Sequence, residues 1–149
     1  MFNVTQMADA ACAAIAAFAK DHGDEHFYAF AVDENLLCLN SEECFAECLA
    51  HYQGKYGHDY ETPERIAGLK ANTGDWAYQG FANLTAAQGF DDEAQEAHYY
   101  EASSAGGHAP HTAYAQAMDA LVAELLARRA FDGLHRTPDF VATWVDHNY

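Results

Sequence analysis

An apolar run with no polar side is the feature that most constrains the fold of this chain. In "HFYAFAVDENLLCLN", every residue of Phe27–Val32 is aromatic or aliphatic. A strand of this kind presents apolar side chains to both faces of a sheet, so both faces must be covered. A second apolar run, Leu36–Leu39, follows the turn residues Asp33–Asn35. The pattern predicts a β-hairpin whose first strand is central and covered.

Helical periodicity flanks this hairpin. An N-terminal helix is predicted from a cap at Thr5 to about Asp21, with Gly23 as its stop. Its apolar face consists of Met7, Ala11, Ile15 and Phe18. After the hairpin, Asn40 or Ser41 is expected to cap a second helix. The predicted buried stripe of that helix consists of Cys44, Phe45, Cys48, Leu49 and Tyr52.

The rest of the chain alternates between further strands and helices. Pro63 opens a short helix to Leu69, residues 76–81 read as a strand, and residues 91–104 read as a helix. Pro110 is expected in the first turn of a long helix that Gly133 terminates, and a β-rich tail covers residues 139–149. The stripe of the long helix is Tyr114, Met118, Leu121, Val122 and Leu125.

This order of elements determines the predicted fold class. It lacks regular β-α-β alternation, so a doubly wound parallel sheet is not expected. The sequence predicts a single α+β domain over residues 1–149, with an antiparallel or mixed β-sheet and helices packed against it. The N-terminal segment has no basic region before its alanines, and no apolar run approaches the ~20 residues of a membrane span. A cytoplasmic protein without a membrane segment is therefore expected.

Charge restricts the partners of the chain. Seven Lys plus Arg against 23 Asp plus Glu give a formal net charge of −16 with histidine neutral. Such a protein repels phosphate backbones, which argues against nucleic-acid binding, and it attracts basic proteins. The cysteines lack a C-x-x-C pair and are expected to be reduced core thiols. They are Cys12, Cys38, Cys44 and Cys48.

Catalytic and cofactor-binding motifs are absent from the sequence. The chain has neither a G-x-S-x-G elbow nor a phosphate-binding glycine loop, and its paired acids stand at turns and helix starts, where they act as capping charges. The sequence therefore predicts a protein that is not an enzyme and needs no cofactor. The alternative is a small metal-binding protein or metal-dependent enzyme. It would use His108 and His111 of "GGHAPH" with nearby acids.

The segment "NTGDWAYQGF" carries the candidate partner-binding residues Asp75, Trp76 and Tyr78. In one interpretation Gly74 and Asp75 form a turn and the aromatic residues fill the two faces of a strand. In the other, Asp75 and Trp76 are an exposed anchor, because Trp and Tyr concentrate in binding hot spots. Both interpretations remain open at the level of sequence.

Two segments of the chain resemble a known family. "HFYAFAVDENLLCLNSEE" (residues 26–43) and "KANTGDWAYQGF" (residues 70–81) are similar to a bacterial family of domains of unknown function, number four thousand three hundred and three in that series. The resemblance spans residues 5 to 145 and implies one domain. In size, acidity and lack of catalytic motifs, such families resemble immunity proteins that neutralise secreted toxins. The resulting hypothesis is a non-enzymatic binding protein that occludes a basic toxin.

Overall fold

A four-stranded mixed sheet forms the centre of the molecule in a computed structural model, which describes residues 1–146. The strands are β1 (Phe27–Asp33), β2 (Leu36–Ser41), β3 (Tyr78–Asn83) and β4 (Arg136–Val145). Their spatial order is β3-β2-β1-β4, with β4 parallel to β1 and the other pairs antiparallel. The predicted α+β fold with a mixed sheet is confirmed. Residues 147–149 of the predicted β-rich tail lie outside the described residues.

In the described part of the chain, five α-helices surround this sheet. They are α1 (Val4–Lys20), α2 (Glu42–Tyr56), α3 (Pro63–Ala71), α4 (Asp92–Ser104) and α5 (Ala113–Ala127). The predicted helices are all present, but the first begins earlier than expected. Asn3, not Thr5, caps α1, because its side chain accepts a hydrogen bond from the amide of Gln6. The helix ends at Lys20, so Gly23 is not its stop.

The central position predicted for the first strand is confirmed, since every residue of β1 is buried. Phe30 and Val32 face the larger core, which also contains apolar residues of α1 and α5. The alternation of sides is interrupted at Tyr28 by a bulge. Because of that irregularity, Tyr28 and Ala29 both reach the smaller core on the opposite face.

The smaller core is formed by α2, α3 and the segment before β3. It contains Phe45 of α2, Leu69 of α3 and Trp76. The stripe predicted for α2 is only partly correct: Phe45 is buried, whereas Cys48 and Tyr52 are half-buried. The reason is that α2 packs on a small apolar cluster whose margin is open to solvent.

The ends of α5 also differ from expectation. Thr112, rather than Pro110, is adjacent to the first turn, and its hydroxyl accepts a hydrogen bond from the amide of Ala115. The helix ends at Ala127, well before Gly133. Arg129 adopts the left-handed backbone conformation (φ 57°) that a glycine provides at many helix ends.

Candidate functional site

A groove lies on the face of the sheet that α2 and α3 cover incompletely. It has a volume of about 450 Å³ and runs between α3 and β4. Val141, Thr143 and Val145 of β4 line one side, while Lys70 of α3 and Trp76 line the other. Val141 is 54% exposed and belongs to β4, which is an edge strand of the sheet. The groove is therefore an apolar surface open to solvent.

Two charged side chains border this groove. The ammonium of Lys70 donates a hydrogen bond to Glu42 Oε1 at 2.8 Å and lies 4.5 Å from the centre of the Tyr28 ring. Asp139 accepts a hydrogen bond from Thr137 at 2.7 Å. That bond, with a smaller contribution from the charge of Lys70, lowers the pKa of Asp139 below its ordinary value. Lys70 is thus already paired, whereas Asp139 presents an ionised carboxylate.

The aromatic wall of the groove is fixed by hydrogen bonds to one carbonyl group. The indole N–H of Trp76 donates to the carbonyl oxygen of Lys70 at 2.9 Å, and the hydroxyl of Tyr28 donates to the same oxygen at 2.7 Å. Asn40 donates to the Tyr28 hydroxyl. Burial raises the pKa of Tyr28 to about 12, so the hydroxyl stays protonated and remains a donor. These hydrogen bonds connect both rings to the last turn of α3.

The three candidate partner-binding residues do not form one surface. Trp76 is buried in the smaller core and lines the groove. Asp75 instead accepts hydrogen bonds from the hydroxyl of Tyr52 and the amide of Asn72. The hydroxyl of Tyr78 donates to Glu25. A role of the three residues in partner binding therefore stays a prediction, and only Trp76 belongs to the groove.

A half-buried carboxylate that sequence reasoning missed belongs to Glu25, which lies just before β1. Glu25 accepts hydrogen bonds from the hydroxyls of Tyr78 and Ser41, at 2.6 and 2.7 Å, and from the thiol of Cys44 at 3.1 Å. His22 Nδ1 lies 2.9 Å from the same carboxylate. Burial opposes ionisation of Glu25, but these hydrogen bonds together outweigh it and lower the pKa from 4.5 to about 2.

The thiol in this cluster is not activated as a nucleophile. Burial raises the pKa of Cys44, and its contact with the carboxylate of Glu25 acts in the same direction. Thiolates form where positive charge surrounds the sulfur, which is the opposite environment. The hydrogen bonds of Glu25 instead join the loop after α1 to α2 and β3, so the cluster has a structural role.

The two histidines considered for a metal site, His108 and His111, make separate contacts. His108 is exposed, with Nδ1 at 3.8 Å from Asp146, and His111 contributes its backbone carbonyl to Gln116. Sequence reasoning missed His98, which is 1% exposed and lies between Asp146 and the Thr112 hydroxyl, at 2.8 and 2.5 Å.

Asp146 contacts His98 more closely than His108. Among residues 1–146, no three His, Cys, Asp or Glu side chains are grouped so that they could hold a metal ion. His98 uses both ring nitrogens to connect α4, the start of α5 and the residue after β4. No signal in the sequence distinguishes this buried histidine from the exposed ones.

The outer surface of α4 concentrates acidic and aromatic side chains. Tyr99 is 42% exposed and Tyr100 is 63% exposed. The exposed carboxylates of this surface belong to Asp92, Glu93, Glu96 and Glu101. Within the described part of the chain, none of these four has a Lys, Arg or His partner within 4.0 Å. We call these six side chains the α4 surface.

Basic residues are remote from the α4 surface in sequence, and most are neutralised. No Lys or Arg occurs between Lys70 and Arg128. Five of the seven basic residues pair with Asp or Glu, and these are Arg65, Lys70, Arg128, Arg129 and Arg136. Within residues 1–146, none of these five residues pairs with a carboxylate of the α4 surface.

Comparisons with known proteins do not extend this description. The chain matches no protein-family model, no curated protein and no solved structure. The resemblance to a bacterial family of domains of unknown function therefore stays a prediction. In residues 1–146 no helix combines the length and apolar character that crossing a bilayer requires.

Proposed function

We propose that this chain is a non-enzymatic binding domain that captures a basic protein on the α4 surface. The observation that carries this proposal is the exposure of Tyr99 and Tyr100 among four carboxylates without a cationic neighbour. The specific form that we propose is an immunity-type protein, which binds a basic toxin and covers its functional cleft.

Charge is the first physical step of this capture. A net charge of −16 attracts a cationic protein over distances near the Debye length, which is about 8 Å at physiological ionic strength. Such steering raises the association rate and favours basic partners over acidic ones. The unpaired carboxylates of the α4 surface give the attraction a direction.

Aromatic burial is the second step. Tyrosine combines a large apolar ring with a hydroxyl and loses little conformational entropy when it is fixed, so it is frequent among the residues that dominate binding energy. Tyr99 and Tyr100 are both on the solvent side of α4. A partner that covers them gains apolar contact while its Lys and Arg side chains reach the surrounding carboxylates.

The polar clusters elsewhere in the molecule support binding rather than catalysis. The carboxylate of Glu25 is surrounded by hydrogen-bond donors, and the thiol of Cys44 beside it has a raised pKa. His98 is buried and uses both nitrogens in structural contacts. None of these groups combines an accessible position with the activation that a nucleophile or general base needs.

The proposal is tested with a capture experiment and a pair of charge-matched variants. The immobilised chain is incubated at low salt with extract of its native host, and retained proteins are identified and then produced separately. One variant carries Glu93→Gln and Glu96→Gln, and the control carries Glu47→Gln and Asp24→Asn, which are exposed acids on other elements. Both variants change the net charge equally.

We expect a partner of high pI whose association rate falls steeply as salt rises. The α4 variant should reduce its association rate about tenfold, and the control by about twofold or less, because steering depends on local as well as net charge. Tyr100→Ala should mainly increase the dissociation rate. Equal effects of the two charge variants, or a partner that is not basic, would refute the proposal.

A further inference from the structure

The outer edge of β4 is an open hydrogen-bonding surface. The strand pairs with β1 on one side, and β4 is the last strand in the sheet order. Within residues 1–146, no backbone group on the outer side of β4 has a backbone partner outside the sheet. Edge strands are usually protected by charges, prolines or bulges. Pro138 and Asp139 protect the first part of β4, but Phe140–Val145 contains no charge and no proline.

The groove described above is lined on one side by β4, the strand that forms this edge. Val141, Thr143 and Val145 point to the same face of the sheet, because side chains two apart share a face. Trp76 and Tyr28 form the opposite wall and are fixed by the carbonyl of Lys70. An open edge with an adjacent apolar groove supplies both requirements of strand addition, namely main-chain hydrogen bonds and pockets for alternate side chains.

We propose that β4 and its groove bind an extended segment of a basic protein, which adds as a fifth strand to the sheet. This inference rests on the proposed function, and it adds a second contact site to the α4 surface. The two sites belong to neighbouring parts of the molecule: Asp146, which follows β4, is hydrogen-bonded to His98 of α4.

Charge identifies the occupant as a basic segment rather than a second copy of this chain. Asp139 is ionised at the start of the uncharged stretch, and Lys70 is already paired with Glu42. A Lys or Arg of the incoming segment thus finds an available carboxylate. Two copies that paired through β4 would instead bring together chains of net charge −16 each. Repulsion between them opposes that dimer.

The dimensions of the site suit a short segment. Phe140–Val145 offers about 20 Å of strand at roughly 3.3 Å per residue, which is the length of a typical strand. The groove volume of about 450 Å³ is within the range of about 300–1,000 Å³ of ligand pockets. A segment of six to eight residues with apolar side chains at alternate positions fills the groove. Its backbone forms hydrogen bonds with the edge of β4.

Synthetic peptides provide a defined probe. The first peptide is KTVTVTVK with blocked ends, in which a lysine at each end lies near Asp139 in either strand direction. The second is ETVTVTVE, which retains the apolar pattern and reverses the charge. Each is titrated into the full chain, and backbone amide shifts are followed by NMR. We expect saturable shifts in Phe140–Val145 and in Trp76 with the lysine peptide, and affinity at least tenfold lower with the glutamate peptide.

Two lysine variants separate the groove from net charge. Val141→Lys places a cation in the groove, whereas Ala13→Lys places one on the exposed side of α1. Both change the net charge of the chain by the same amount. Because Val141 is largely exposed, its replacement leaves the core intact. Val141→Lys should lower the affinity for the lysine peptide at least tenfold. Ala13→Lys should lower it by no more than about twofold, as expected for a change in net charge alone.

Several results would overturn the inference. These are the absence of shifts at millimolar peptide, shifts confined to the α4 surface, and equal effects of the two variants. Sedimentation that reveals a dimer abolished by Val141→Lys would identify a second copy as the occupant. If binding of the natural partner is weakened by the substitutions at Glu93 and Glu96 but not by Val141→Lys, the strand-addition inference fails and the proposed function stands. Insensitivity to the α4 substitutions refutes the proposed function separately.

Discussion

Replacement of Glu25 by glutamine should lower the free energy of unfolding and change its dependence on pH. The carboxylate accepts hydrogen bonds from Tyr78, Ser41 and Cys44, and its side chain is only 18% exposed. Glutamine offers a single acceptor oxygen and introduces an N–H₂ group that faces these donors. We expect Glu25→Gln to destabilise the chain by about 2–3 kcal/mol at pH 7.

The pH dependence follows from the lowered pKa. The pKa of Glu25 falls from 4.5 to about 2 on folding, so the native state favours the ionised form. Its contribution to stability is fully present above pH 4.5 and is lost as the pH falls towards 2. A shift of this size corresponds to at most about 3 kcal/mol, and about 2 kcal/mol of it is lost between pH 7 and pH 3.

Urea denaturation followed by circular dichroism measures both effects. Wild type, Glu25→Gln and the control Glu96→Gln, which replaces an exposed acid, are compared at pH 7, 5, 4 and 3. The other carboxylates titrate in all three proteins, so the difference between wild type and Glu25→Gln isolates one group. That difference should shrink as the pH falls. A difference that stays constant from pH 7 to pH 3 would refute the argument.

Three further substitutions test the packing. Phe30→Ala removes a fully buried ring of β1 and should cost about 3–5 kcal/mol in urea unfolding. Gly89→Ala should lower stability by about 2 kcal/mol or more in thermal unfolding, because Gly89 has φ 89° and an added Cβ would lie 2.7 Å from the carbonyl oxygen of Asn3. Trp76→Phe keeps a ring in the smaller core but loses the hydrogen bond to Lys70, and should cost about 1 kcal/mol in urea unfolding.

Each of these three predictions can be contradicted by a specific result. Gly54→Ala is the control for Gly89, since Gly54 lies in α2 with no atom near its added Cβ, and alanine there should stabilise the helix. Equal effects at the two glycines would exclude strain at Gly89. A loss below about 1 kcal/mol for Phe30→Ala would contradict its position in the larger core. Unchanged stability of Trp76→Phe would show that the indole hydrogen bond is energetically neutral.

Local patterns were sufficient to predict most elements of this fold. The hairpin was readable because Phe27–Val32 is apolar at every position and the turn that follows is polar. The helices were readable from their apolar periodicity, which depends on residues one turn apart. Helix ends were predicted less well. Asn3, not Thr5, caps the start of α1, and Arg129, not Gly133, has the left-handed conformation after the end of α5. Several residues at each end are compatible with capping, and tertiary contacts select among them.

The clusters of polar residues were not readable from the sequence. Glu25 contacts Ser41, Cys44 and Tyr78, which are 16, 19 and 53 residues away along the chain. His98 and Asp146 are separated by 48 residues. Contacts of this kind depend on the order of the strands in the sheet, and no local sequence pattern predicts them. The groove was hidden for the same reason, since it exists only because β4 pairs beside β1 and leaves one face uncovered.

Parallel pairing between β1 and β4 has a consequence for biogenesis. The two strands join Phe27 to Arg136 and Asp33 to Val145, so more than two-thirds of the chain separates the paired residues of β1 and β4. Closure of so long a segment carries an entropic cost that slows folding. During synthesis on the ribosome, the hairpin, α2 and β3 emerge before β4. Until β4 emerges, one side of β1 has no strand partner. Nascent chains are therefore vulnerable to chaperone capture or misassociation until Val145 has left the exit tunnel.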